Sequence, residues 1–86
     1  MTPAAIGKLQ AVADFVADER RKGTPAAEII SALQVLHKAS YVLRPWTNTL
    51  RVAGVTGSCT WSNDDGLLDS WRRNAARRLA REREGA

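Results

Sequence analysis

Residues 49–62, TLRVAGVTGSCTWS, decide the fold, because the spacing of apolar residues changes here from the period of a helix to that of a strand. A turn over residues 54–57 would pair Ala53 with Ser58. In that register one face carries Leu50, Val52, Cys59 and Trp61, and the other carries Arg51, Ser58 and Thr60. Since this register puts every apolar residue on the same side, the stretch predicts a two-stranded antiparallel hairpin packed on helices.

Two helices are predicted before the hairpin, over about residues 3–22 and 25–43. Each begins with Thr-Pro-Ala-Ala, in which threonine caps the helix and proline takes its first position. Arg20-Arg21-Lys22-Gly23 is typical of a helix end. Pro45 limits the second helix, because the residue before proline is disfavoured in the helical region.

A third helix is predicted over about residues 64–83, following a cluster of capping side chains at residues 62–65. The apolar arcs of the three helices consist of Ile6, Leu9, Val12, Ala13 and Val16; of Ile29, Ile30, Leu33, Leu36 and Leu43; and of Leu67, Leu68, Trp71, Ala75 and Leu79. The sequence therefore predicts one mainly helical α+β domain over residues 1–86. Its order is α-α-β-β-α, with three helices packed on a short two-stranded antiparallel hairpin.

The composition is that of an ordinary globular protein of 86 residues, with 44% hydrophobic and 26% charged residues. Its one cysteine, Cys59, allows no internal disulfide and favours a reducing, cytoplasmic setting. The sequence contains no apolar run long enough to cross a membrane and no signal-peptide pattern, so no membrane partner is expected. The alanine- and arginine-rich composition is typical of a small reading frame from a high-GC bacterium or its phage.

The net charge of +4 comes entirely from the last fifteen residues, which carry six arginines and two glutamates. At 100° per residue, Arg73, Arg77 and Arg81 form a stripe opposite the apolar arc of the third helix. We call these three residues the arginine stripe. Such a stripe could bind the phosphates of a nucleic acid, or it could be a solvated helix face.

Intrahelical pairing supports the solvated alternative. Asp69–Arg73, Arg78–Glu82 and Arg81–Glu84 are all at pairing distance along the predicted helix. The basic residues 20–22 would join the stripe only if the first and third helices run parallel, and the sequence leaves that direction open.

Arg44-Pro45-Trp46 is the second candidate surface. Tryptophan and arginine are enriched among the anchor residues of protein interfaces, so Arg44 and Trp46 are candidate contacts for a partner. The alternative is that Trp46 folds back over the edge of the core. No periodicity decides between these orientations.

No catalytic, metal-binding or cofactor-binding motif occurs in the sequence. We therefore expect a non-catalytic, regulatory binding protein, without cofactor or metal, that acts on an unidentified protein partner or as a homodimer. A protein of this kind could be a modulator, encoded by a phage or a bacterium, of a host protein. The alternative is an accessory protein that contacts nucleic acid through the arginine stripe.

Overall fold

The computed structural model describes residues 1–60 and 63–85. Its elements are α1 (Pro3–Lys22), α2 (Ala26–His37), β1 (Ser40–Leu43), β2 (Asn48–Val52), β3 (Val55–Cys59) and α3 (Asp64–Glu84). The three strands form one antiparallel sheet in the order β1-β2-β3. The mainly helical α+β class is thus confirmed, but the sheet has three strands and not the two that were predicted.

The first helix follows its sequence signals closely. Thr2 caps α1 by accepting a hydrogen bond from the backbone N–H of Ala5, and Pro3 follows it as the first helical residue. Gly23 ends the helix with a φ of 83°, in the left-handed region that glycine enters most easily. At the second Thr-Pro the prediction is wrong: Pro25 is the N-cap of α2, and the hydroxyl of Thr24 instead donates to the Glu19 carboxylate.

The second helix ends at His37, six residues earlier than predicted. Lys38 takes a left-handed φ of 55°, and the N–H of Ala39 donates to the carbonyl of Leu33 at 3.1 Å. Residues 40–43 then form the unpredicted strand β1, which pairs with β2 from Ser40 opposite Arg51 to Leu43 opposite Asn48. The chain leaves the helix before residue 43, and neither Leu36 nor Leu43 is a core residue: they are 64% and 59% exposed.

The hairpin register also differs from the prediction. The turn is Ala53–Gly54 and not residues 54–57, so Val52 lies opposite Val55 and Leu50 opposite Gly57. Both turn residues have positive φ, at 53° and 78°, as a type I′ hairpin turn requires. The pairing differs from the predicted one by four positions, an even number, and an even shift leaves each side chain on its predicted face. Trp61 and Ser62 lie outside the described residues.

The central element of the fold is α3, which contacts α1, α2, β2 and β3. The five residues of its predicted apolar arc are all buried: Leu67, Leu68, Trp71, Ala75 and Leu79. Trp71 has no exposed surface, and its indole N–H donates to the carbonyl of Val55 at 3.1 Å. Helix α1 adds Leu9, Val12 and Val16 to this core, and helix α2 adds Ile29, Ile30 and Leu33.

Candidate binding surfaces

Trp46 lies on the surface. It belongs to the connection between β1 and β2, where the N–H of Arg44 donates to the carbonyl of Thr47 at 3.1 Å. The side chains of Arg44 and Trp46 are both exposed, and Trp46 has 77% of its surface accessible. The alternative in which Trp46 folds over the core edge is therefore wrong.

Leu43 adds a second large apolar side chain beside this connection, and 59% of its surface is exposed. Within the described chain, β1 pairs with β2 alone, so the other edge of β1 faces no strand. We call Leu43, Arg44 and Trp46 the Trp46 surface. An exposed aromatic residue beside an open strand edge is a combination to which partner segments can bind.

The arginine stripe is exposed along α3. Arg73, Arg77 and Arg81 are solvent-accessible, and none forms an ion pair with another described residue. The predicted Asp69–Arg73 pair is wrong, because Asp69 accepts from Arg20 of α1 at 2.9 Å. Among the remaining predicted pairs, Arg78–Glu82 is present, with a nitrogen–oxygen distance of 3.1 Å, and Arg81–Glu84 does not form between these described residues.

Helices α1 and α3 run antiparallel. Arg20, near the end of α1, donates to Asp65 and Asp69 in the first turns of α3. At the other end of the pair, the amino group of Met1 donates to Glu82 at 3.2 Å. The basic residues 20–22 are therefore at the opposite end of the molecule from Arg77 and Arg81, and they do not extend the arginine stripe.

Two of these contacts shift the pKa values of their groups. The hydrogen bonds that Arg20 donates to Asp65 and Asp69 raise the pKa of Arg20, so its charge is held firmly against the acidic start of α3. The hydrogen bond from the Met1 amino group is the main cause that lowers the pKa of Glu82. Glu82 also accepts from Arg78, so its carboxylate is already shared by two cations.

Two basic grooves lie on either side of the β2–β3 turn and meet at Gly54. The first contains Lys8 of α1, Lys38 at the end of α2 and Arg51 of β2. The second lies between the turn and α3 and contains Arg77, Arg78 and Arg81. We call them the Lys8 groove and the Arg77 groove.

Sequence reasoning did not find the Lys8 groove. Its three basic residues lie on three separate elements, and no local motif joins them. The three residues come together in the folded chain because α2 ends at Lys38 and because the β2–β3 turn lies at Ala53–Gly54. The Arg77 groove contains two residues of the arginine stripe, Arg77 and Arg81, whereas Arg73 lies in a separate depression that also contains Asp69.

Within residues 1–60 and 63–85, no group of three or more histidine, cysteine or acidic side chains is arranged to hold a metal ion. In the same part of the chain, none of the helices combines the length and the apolar character needed to cross a bilayer. Comparison of the chain with protein-family models, with curated proteins and with solved structures found no match.

Proposed function

We propose that this protein is a non-catalytic binding protein that engages a protein partner through the Trp46 surface. The observation that carries the proposal is the 77% exposure of Trp46 on a chain whose other described tryptophan, Trp71, is fully buried. An exposed tryptophan next to an exposed arginine has the composition of an interface hot spot, and Leu43 adds apolar surface beside them.

Burial of Trp46 in an interface would make a large favourable contribution, which the costs of association partly or wholly offset. A tryptophan side chain buries on the order of 150–250 Å² when fully enclosed. For the exposed part of Trp46, burial at about 25 cal/mol per Å² corresponds to about 3–5 kcal/mol before the costs of association. This contribution is that of one strong anchor residue, which neighbouring contacts need only shield from water.

Trp46→Ala tests the proposal, with Val35→Ala as its matched control. Val35 is also a large apolar side chain, 81% exposed, but it lies on α2 away from the β1–β2 connection. In capture from host lysate, we expect the native chain and Val35→Ala to retain the same protein, and Trp46→Ala to lose it. Circular dichroism should show all three equally folded.

Two results would contradict the proposal. One is capture of the same protein by Trp46→Ala. The other is unfolding of Trp46→Ala, which would give this tryptophan a structural role. If the captured protein is a second copy of the chain, light scattering of the purified protein will show a dimer that Trp46→Ala converts to a monomer.

A second candidate function is nucleic-acid binding through the arginine stripe, favoured by three exposed arginines without ion-pair partners among the described residues. Three phosphate contacts on duplex DNA give a slope of about −2.7 in a plot of log affinity against log salt. A chain that binds no DNA or RNA at low salt lacks this function. Nuclease treatment of the lysate separates the two functions, because only a partner held through nucleic acid is then lost.

A further inference from the structure

We propose that the β2–β3 turn enters a groove of duplex DNA, with the Lys8 groove and the Arg77 groove binding phosphates on either side of it. The proposal rests on the second candidate function. It moves the contact from one face of α3 to a surface built from four elements. The residues that bind phosphate are Lys8, Lys38, Arg51, Arg77 and Arg81.

The charges of this surface are available to a ligand. None of the five residues forms an ion pair with another described residue, and no acidic side chain lines either groove. Glu82, the acid bonded to Arg78 of the Arg77 groove, is shared between that arginine and the Met1 amino group. By contrast, the depression around Arg73 contains Asp69.

The shape of the surface also fits a DNA duplex. Ala53 and Gly54 form the ridge between the two grooves, with basic residues on both sides of it; Ala53 packs partly against the core, and the side chain of Met1 lies beside Gly54. A duplex groove has a phosphate strand along each side, and the major groove admits a two-stranded β-ribbon. A ridge with cations on both sides is therefore complementary to a duplex, whereas one helix face can follow only one strand.

Unusual backbone conformations also occur at the Lys8 groove. The non-glycine residues with positive φ in the described chain are Lys38 and Ala53, and both line the Lys8 groove. Residues held in sparsely populated backbone regions cluster at binding sites. At Lys38 this conformation places a basic residue where glycine would end a helix with less strain.

The chemistry at the ridge favours nucleic acid over a membrane surface. Neither turn residue has a large apolar side chain, and the exposed apolar side chain beside the turn is that of Met1 alone among the described residues of the two grooves, a weak anchor for a bilayer. Trp46, the residue type that anchors proteins at membrane interfaces, lies in the β1–β2 connection, at the opposite end of β2 from the ridge.

Three double variants with the same change in charge test the proposal in a fluorescence anisotropy titration of a mixed-sequence DNA duplex. Five phosphate contacts give the native chain a slope of about −4.5 in log affinity against log salt. We expect Lys8→Gln with Arg51→Gln, and Arg77→Gln with Arg81→Gln, each to reduce the magnitude of this slope by about 1.8. Arg21→Gln with Lys22→Gln, at exposed positions at the opposite end of the molecule, should leave it unchanged.

Every other outcome overturns the proposal in a distinct way. If the slope falls equally in all three variants, binding follows net charge without a defined surface. If it falls in Arg77→Gln with Arg81→Gln but not in Lys8→Gln with Arg51→Gln, the arginine stripe binds alone and the second candidate function stands. If the folded native chain binds no duplex at low salt, both are wrong. Tighter binding to phosphatidylserine–phosphatidylcholine vesicles than to duplex would assign the surface to membranes.

Discussion

Gly57 and Trp71 touch through their backbones: a Cβ atom added to Gly57 would lie 2.5 Å from the backbone nitrogen of Trp71 and 2.6 Å from its Cα. This contact lets α3 approach β3 so closely that the hydroxyl of Ser70 accepts from the N–H of Ser58, and the amide of Asn74 donates to the carbonyl of Thr56. The absence of a side chain at residue 57 thus sets the distance between the central helix and the sheet.

Gly57→Ala should therefore be among the most damaging single substitutions in the chain. Because the obstructing atoms belong to the backbone, the sheet or the helix must move, and we expect a loss of about 2–4 kcal/mol in the free energy of unfolding. Gly7→Ala is the control, since a Cβ there meets nothing within 4 Å and α1 should gain about 0.5–1 kcal/mol. Urea denaturation measures both, and equal effects would show that the close contact does not limit packing.

The phenol of Tyr41 should lose its proton at a higher pH than an ordinary tyrosine does. Its O–H donates to Asp64 at 2.7 Å, and this bond, followed by partial burial, raises the pKa of Tyr41 to about 12. Because the pKa is raised in the folded state, the stability from this bond is present below pH 10 and is lost as the pH rises through 12. Tyr41 is the chain's one tyrosine, so the absorbance of tyrosinate reports it alone.

Asp64→Asn is the matched variant for that titration. It removes the carboxylate but keeps the size of the side chain, and the titration midpoint should fall toward 10. An unchanged midpoint in Asp64→Asn would mean that burial, and not the hydrogen bond, determines the pKa.

Arg20 should contribute more to stability than its neighbour Arg21. Arg20 is only 25% exposed and joins α1 to two carboxylates of α3, whereas Arg21 is 76% exposed and pairs only with Asp18 of its own helix. We expect Arg20→Ala to cost about 1 kcal/mol and Arg21→Ala to cost less than about 0.5 kcal/mol. Urea denaturation at low salt and at about 1 M NaCl should show the difference shrinking as salt screens the charges.

Ala53→Asn should stabilise the protein. Alanine at a φ of 53° is strained, whereas asparagine tolerates this region, and Asn-Gly is the preferred sequence of a type I′ turn. The midpoint of thermal unfolding should rise, by an amount corresponding to about 0.5–1 kcal/mol. The matched control is Ala76→Asn on the exposed face of α3, which should lower the midpoint because asparagine is a poor helix former. A lower midpoint for Ala53→Asn would contradict the turn assignment.

The helices were largely predictable from sequence because their signals are local. Capping residues and a period of 3.6 determined α1 and the buried arc of α3. Strand β1 was missed because Tyr41-Val42-Leu43 continues the apolar pattern of α2. The true end of that helix, at Lys38, has no glycine to mark it. Pro45 then predicted an end of α2 at residue 43, six residues after the true end at His37.

The prediction of the hairpin register was wrong for a different reason. Two glycines, Gly54 and Gly57, flank Val55-Thr56, and either could have belonged to the turn. Gly57 is instead a packing residue against Trp71, and that requirement arises from tertiary structure. The same limit applies to the Lys8 groove, because Lys8, Lys38 and Arg51 meet only once the chain is folded.

The antiparallel packing of α1 and α3 also separates charge along the molecule. Asp64, Asp65 and Asp69 stand at one end, where Arg20 and its basic neighbours offset part of their charge, and the β2–β3 turn with its two basic grooves stands at the other. Such a separation gives the protein an electric dipole, so in the field of a polyanion it rotates before contact and approaches with the turn foremost. Orientation of this kind raises the share of productive collisions at low ionic strength and fades as the Debye length shortens.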